Sequence, residues 1–147
     1  MKILVIAILC TILWCGPLFL PQRISAQQKI VTAAQVNGTW ESKFGTFKIW
    51  ALGKQRLKVE FSGYYPYKLA DGSPTAHTGE GWGIALIEGE RASFKPEGAE
   101  AQCLITMRFR GGRLDVEQEG VCGFGQNVTA AGRYRRVSAR RPQFEDH

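Results

Sequence analysis

The sequence predicts an all-β domain: a single antiparallel meander of about eight strands, closed into a small barrel and held by one disulfide. Three observations predict it. From Asn37 onward the apolar residues recur with a period of two, and turn signals interrupt them at the regular interval of a β-sandwich or barrel. No helical period of useful length breaks the strands. The run from residue 103 to residue 119 fits one hairpin register in which both faces make sense at once.

The N-terminus comes first because it decides how the cysteines are read. Lys2 precedes an apolar run from Ile3 to Leu13, then a stretch broken by Gly16 and Pro17, then Ile24-Ser25-Ala26. A positive start, an apolar core and a small residue at the exit form a secretory signal, so residues 1–26 are expected to be removed and the chain to be secreted or periplasmic. The other reading keeps the segment as one membrane span, since it approaches the roughly 20 residues a span needs. Cleavage removes Lys2 and Arg23, so the 19 basic residues fall to 17 against 13 acidic ones, a charge of +4. About 120 of the 147 residues remain, enough for one modest core and no second domain.

Residues 27–36 read as an unpatterned N-terminal tail. Strands are expected near 38–41, 44–52, 56–62, 80–87, 91–95, 102–110, 113–119 and 127–137. Phe47, Ile49 and Ala51 alternate with Thr46, Lys48 and Trp50; Leu57, Val59 and Phe61 alternate with Arg56, Lys58 and Glu60, with a turn at Gly53-Lys54 between them. Residues 63–80 mix Tyr64, Tyr65, Pro66, Tyr67, Asp71, Gly72 and Pro74 in no regular order and read as a long irregular loop. The barrel domain is bounded at residues 37–137, and residues 138–147 form a charged tail.

Register can be derived for one hairpin. If Gly111-Gly112 forms a two-residue turn, partners sum to 223. Phe109 then faces Leu114, Met107 faces Val116 and Ile105 faces Gln118 on one side, while Arg108 faces Asp115 and Thr106 faces Glu117 on the other. Cys103 falls opposite Gly120, with Cys122 its diagonal neighbour. Export removes Cys10 and Cys15 and leaves these two in an oxidising compartment, so Cys103–Cys122 is the expected disulfide. It would close a loop of about 18 residues and contribute roughly 3 kcal/mol. Metal is not expected: only His77 and His147 are available to join the cysteines, and neither Cys-x-x-Cys nor His-x-x-x-His occurs.

Gly38-x-Trp40 in the first strand, with a basic residue such as Arg133 or Arg135 in the last, resembles the lipocalin and avidin arrangement. There an N-terminal Trp closes one barrel end and a cation packs on its ring. The combination of Cys103-x-Ile105, Gly111-Gly112, Val116, the block Cys122-Gly-Phe-Gly-x-Asn-Val128 and Gly132-x-Tyr134-x-Arg136 is similar to a family of small exported bacterial domains. These occur alone or appended to lysozyme-inhibitor-like modules. The resemblance spans residues 37–137 and implies a calycin-like barrel in the cell envelope, with no activity to carry over.

The functional candidates are few. His77 lies between Ala76 and Thr78 with no partner serine or cysteine nucleophile, so no triad is supported. Glu88 with Glu90 and Glu117 with Glu119 sit in a turn and on an outer face, where carboxylates are solvated. An enzyme is therefore not expected, and no cofactor is. Tyr64, Tyr65, Tyr67 and Trp82 are the candidate ligand-binding group, aromatics at a barrel mouth that bring contact area with few rotamers to freeze. Arg133, Arg135 and Arg136, followed by Arg140 and Arg141, are the candidate patch for an anionic partner. Nucleic acid is excluded by export, and membrane contact is expected only through an uncleaved signal segment.

The preferred function is a monomeric, non-enzymatic binding barrel for a small apolar or envelope-associated ligand. Its test is an interior cavity of ligand size not filled by Phe47, Ile49, Phe61, Ile105, Met107 and Phe109. The alternative is a protein-interaction or inhibitor module, although lysozymes are usually basic and a +4 domain matches them poorly. Asn37-Gly-Thr39 and Asn127-Val-Thr129 are glycosylation sequons that matter only in a eukaryotic secretory pathway.

Overall fold

The computed structural model describes residues 31–146; the expected signal segment lies outside them. One short helix, α1 (Ala33–Val36), precedes eight strands: β1 (Gly38–Glu41), β2 (Gly45–Gly53), β3 (Arg56–Lys68), β4 (Pro74–Glu88), β5 (Arg91–Phe94), β6 (Leu104–Arg110), β7 (Arg113–Glu119) and β8 (Gly132–Ser138). Each strand pairs antiparallel with its sequence neighbour, and β8 returns to β1, so the meander closes into a barrel. Closure leaves no strand edge along the barrel wall, which is the gain an eight-stranded meander obtains by curling on itself.

The β6–β7 register is the one the Gly-Gly turn requires. Phe109 pairs with Leu114, Met107 with Val116, Ile105 with Gln118, Arg108 with Asp115 and Thr106 with Glu117. Cys103 and Cys122 are bonded, their Cα atoms 4.9 Å apart. The six side chains named for the interior are all buried and fill the barrel centre, the outcome that counts against a ligand held inside it. Phe47 stands between Phe61 and Tyr134, at centroid distances of 4.9 and 5.0 Å, and Phe61 passes the column on to Phe124 at 4.8 Å.

The structure corrects four expectations. Residues 63–80 are not an irregular loop: β3 and β4 continue through them as one ribbon, with Tyr64 paired to Thr78, Tyr65 to His77 and Tyr67 to Thr75. Tyrosine and threonine are strong strand formers, and Pro66 does not interrupt them. The Tyr64 amide donates to the Phe44 carbonyl, so the backbone N–H groups of even-numbered residues of β3 point away from β4. Pro66 therefore places its missing N–H on a free edge, the one position where a strand tolerates it. The true turn is shorter, with the Asp71 carboxylate accepting from the Ser73 amide (2.8 Å) and hydroxyl. Those two bonds hold its pKa below the usual carboxylate value.

The last strand begins at Gly132 rather than at residue 127. In its place the Gln118 side chain, facing inward from β7, accepts from the Ala130 amide (2.8 Å) and the Thr129 hydroxyl (3.2 Å). A side chain takes over the hydrogen bonds a ladder would have made, and residues 121–131 are free to fold over the barrel end. The N-terminal lead-in is not featureless: Val36 is buried and α1 lies across the other end. Nor does the C-terminus trail away. The Glu145 amide donates to Glu60 (2.8 Å), Lys58 lies over the Phe144 ring (4.6 Å) and Arg141 over Trp50 (5.6 Å), so residues 139–146 strap the outside of β2 and β3.

The two barrel ends are closed by different devices. At one, residues 122–128 place Phe124 in the opening, where it is 3% exposed. Glycines on β4 make room for it: a Cβ on Gly79 would lie 1.6 Å from the Phe124 carbonyl oxygen, and one on Gly81 would lie 2.5 Å from its ring. At the other, Trp40 donates from its indole nitrogen to the Val36 carbonyl (2.9 Å), and the Arg136 guanidinium lies 5.5 Å over the indole. The cation on Trp40 is thus Arg136, not Arg133 or Arg135. Tyr134 faces the core, so residues two apart from it face inward and the two odd-numbered arginines face solvent.

Candidate functional site

The best-formed apolar concavity lies at the α1 end, the opposite end from the tyrosine ribbon. It measures about 490 Å³, within the usual range for small-molecule sites. Val31, Val36, Ala51, Leu57 and Ile87 form its apolar lining, and Thr32, Gln55, Arg56 and Glu88 stand around it. The strands deliver these residues by parity: Leu57 pairs with both Ala51 and Ala85, on the inward faces of β2, β3 and β4.

The segment from Val31 to Val36 is the roof. It is fixed at several points: the Val31 amide donates to the Gly89 carbonyl (3.2 Å), the Asn37 carboxamide oxygen accepts from the Ala51 amide (2.6 Å), and Arg136 donates to the Ala34 carbonyl (2.5 Å). On its far side is a second, smaller hollow of about 340 Å³ bounded by Val31, Trp40, Phe109 and Arg136. Two hollows flank one short, locally anchored segment.

The four expected aromatics do not converge. Tyr64 and Tyr65 point to opposite faces of the ribbon, 45% and 43% exposed. Tyr64 donates to the Lys43 carbonyl (2.9 Å) and meets Phe44 edge-on. Tyr67 stacks on His77 with centroids 4.3 Å apart, and Trp82 is carried on the outer face of β4, opposite Glu60. A shallow groove beside Tyr64 runs to Glu41 and Glu80. The expected arginine patch divides as well. Arg133 and Arg135 are exposed on the outside, where Arg133 pairs with Asp115 and Arg135 lies between Arg113 and Glu41, whereas Arg136 serves Trp40.

Sequence reasoning missed the mouth residues because each of them, taken alone, is an ordinary alternating apolar position. The signal that could have found them is the pair of apolar residues Val31 and Val36 in the lead-in just ahead of Trp40. The Tyr134 hydroxyl donates to the Ala130 carbonyl (2.8 Å), and burial pushes its pKa up to about 12, partly offset by a hydrogen bond with Ser42. It closes the plugged end and also borders a hollow that Lys43, Arg113, Arg133 and Arg135 surround. Among the described residues, no three His, Cys, Asp or Glu side chains come together as a metal-binding group.

The fold and its mouth define a closed eight-stranded antiparallel barrel with one disulfide, plugged at one end and roofed at the other. No family model, curated protein or solved structure matches the chain.

Proposed function

We propose that the chain is an exported, non-enzymatic binding barrel that holds a small apolar ligand in its α1-end mouth. The supporting observation is the 490 Å³ hollow with an apolar lining and a polar surround, beneath the α1 segment. The packed aromatic column below it argues for a ligand seated in the mouth rather than threaded through the barrel. Native mass spectrometry of the exported protein should reveal a co-purified small molecule. Binding of an apolar fluorescent probe should be lost in Ala51→Phe, which fills the hollow. Protein that carries nothing and takes up no probe would sink this function.

The β3–β4 ribbon favours a second function, a protein-interaction module in the envelope. Residues 65–68 and 74–77 pair only with each other and expose Tyr65 to solvent. For that reading, Tyr65→Ala should abolish capture of a defined partner from envelope extract at low salt, and capture that is indifferent to the substitution would count against it.

A further inference from the structure

The mouth opens beside a patch unlike the rest of the barrel exterior. On the outer faces of β2, β3 and β4, apolar and cationic side chains alternate. Lys58 is flanked by Trp50 and Ile84, and Arg56 pairs across to Leu86. Ile84 and Leu86 are 44% and 61% exposed, and Leu52, at the tip of the β2–β3 hairpin, is 43% exposed. Isolated exposed apolar residues are ordinary; several on adjacent strands at the rim of a pocket are not.

Toward the mouth the cations Lys54, Arg56 and Lys58 outnumber the acid Glu88, while Glu60 and Glu145 lie farther along the face. Its buried acid, Glu60, is ion-paired with Lys48 and accepts from the Glu145 amide, so it does not neutralise Arg56 or Lys58. The C-terminal strap adds Arg141, over Trp50, to the same surface. At the hairpin tip Lys54 and Gln55 hold φ of 50° and 58°, a backbone conformation that glycine or asparagine adopts more cheaply.

The other basic surface, outside β5 to β8, has a different character. There Asp115 lies between Arg108 and Arg133, and Glu90 is ion-paired with Arg110. Acids offset only part of that charge, since Arg113 lies between Arg110 and Arg135, but the exposed apolar residues there, Leu104 and Val137, stand on non-adjacent strands.

We infer that the mouth-side end of this β2–β3–β4 face, around Leu52, Lys54, Arg56, Ile84 and Leu86, docks on an anionic lipid bilayer and that the mouth takes its ligand, an amphiphile, from that bilayer. This rests on the proposed mouth-binding function and names its source. Exposed Leu and Ile enter the headgroup boundary while Arg and Lys stems reach lipid phosphates, the combination that interfacial binding requires. Each basic residue near an anionic leaflet strengthens association about fivefold. Arg56 belongs both to the patch and to the hollow, so an amphiphile's anionic head would stay at the lipid surface while its tail enters between Leu57 and Ile87.

The test is sedimentation of the exported chain with phosphatidylglycerol/phosphatidylcholine vesicles and with pure phosphatidylcholine vesicles. Binding should require phosphatidylglycerol and weaken steeply with salt. Ile84→Glu with Leu86→Glu should weaken it roughly 100-fold. Arg56→Gln with Lys58→Gln, which leaves the apolar residues in place, should weaken it about 25-fold, and Arg133→Gln with Arg135→Gln should leave it unchanged. Binding that survives the first two double variants, or equal binding to both vesicle types, overturns the inference. So does capture by polyglutamate without capture by vesicles, which would assign the face to an acidic protein. Uptake of the apolar probe, measured without vesicles, separates the two claims: vesicle binding without uptake removes the mouth function and leaves the docking face standing.

Discussion

Replacing Phe124 by alanine tests whether residues 122–128 close the barrel end or merely pass over it. The ring is 3% exposed and lies 4.8 Å from Phe61, against Gly81. Stripping it from that site forfeits on the order of 100 Å² of buried apolar surface beyond alanine's own share, about 2.5 kcal/mol. The lost contact with Phe61 adds about 0.5–1.5 kcal/mol. Gly123 and Gly125 flank the residue and let the loop sink into part of the space, so the cost should fall near the lower end of the range for Phe→Ala, about 3 kcal/mol. For a domain of this size that lowers the melting temperature by about 12 °C. Thermal denaturation followed by circular dichroism measures it, with Val121→Ala as control. Val121 is on the same loop and 61% exposed, so its truncation should cost under about 0.5 kcal/mol. A Phe124→Ala variant within about 1 kcal/mol of the parent would refute the plug, and the glycines at 79 and 81 would lose their explanation.

Two further predictions concern the same end of the barrel. Cys103→Ser or Cys122→Ser opens a constraint spanning a sequence separation of 19, which should cost roughly 3 kcal/mol and about 10 °C in melting temperature; equal melting of oxidised and reduced protein would contradict this. Tyr134 carries a pH signature. Its folded pKa, about 12, lies above its ordinary value of 10, so the folded state holds the phenolic proton more tightly than the unfolded chain. That contribution is complete below pH 10 and is lost as the pH rises from 10 through about 12, roughly 2–3 kcal/mol in all. Urea midpoints measured between pH 9 and 12 should fall more steeply in the parent than in Tyr134→Phe, and parallel curves would remove burial of the phenol as the cause.

Much of the wall was legible in the chain. The β6–β7 register followed from Gly111-Gly112 because a one-residue slip would exchange Phe109, Met107 and Ile105 with Arg108 and Thr106, and no such arrangement buries an apolar face. The ribbon at residues 64–78 was not legible, since Pro66, Asp71, Gly72 and Pro74 are turn residues by composition. Only knowing which edge of β3 is free shows that Pro66 costs nothing there. The same holds for Gln118, whose side chain stands in for a strand pairing that the alternation at residues 127–137 implied.

The sequence by itself determined the all-β class, the hairpin register and the pairing of Cys103 with Cys122, because period, turn chemistry and a short loop are local properties. Tertiary structure decided which end is plugged, which arginine covers Trp40 and where the hollow lies. Those outcomes depend on barrel closure, which brings Arg136 to Trp40 and Phe124 to Gly79. It also sets Val36 opposite Leu57 across a mouth that no local pattern announces.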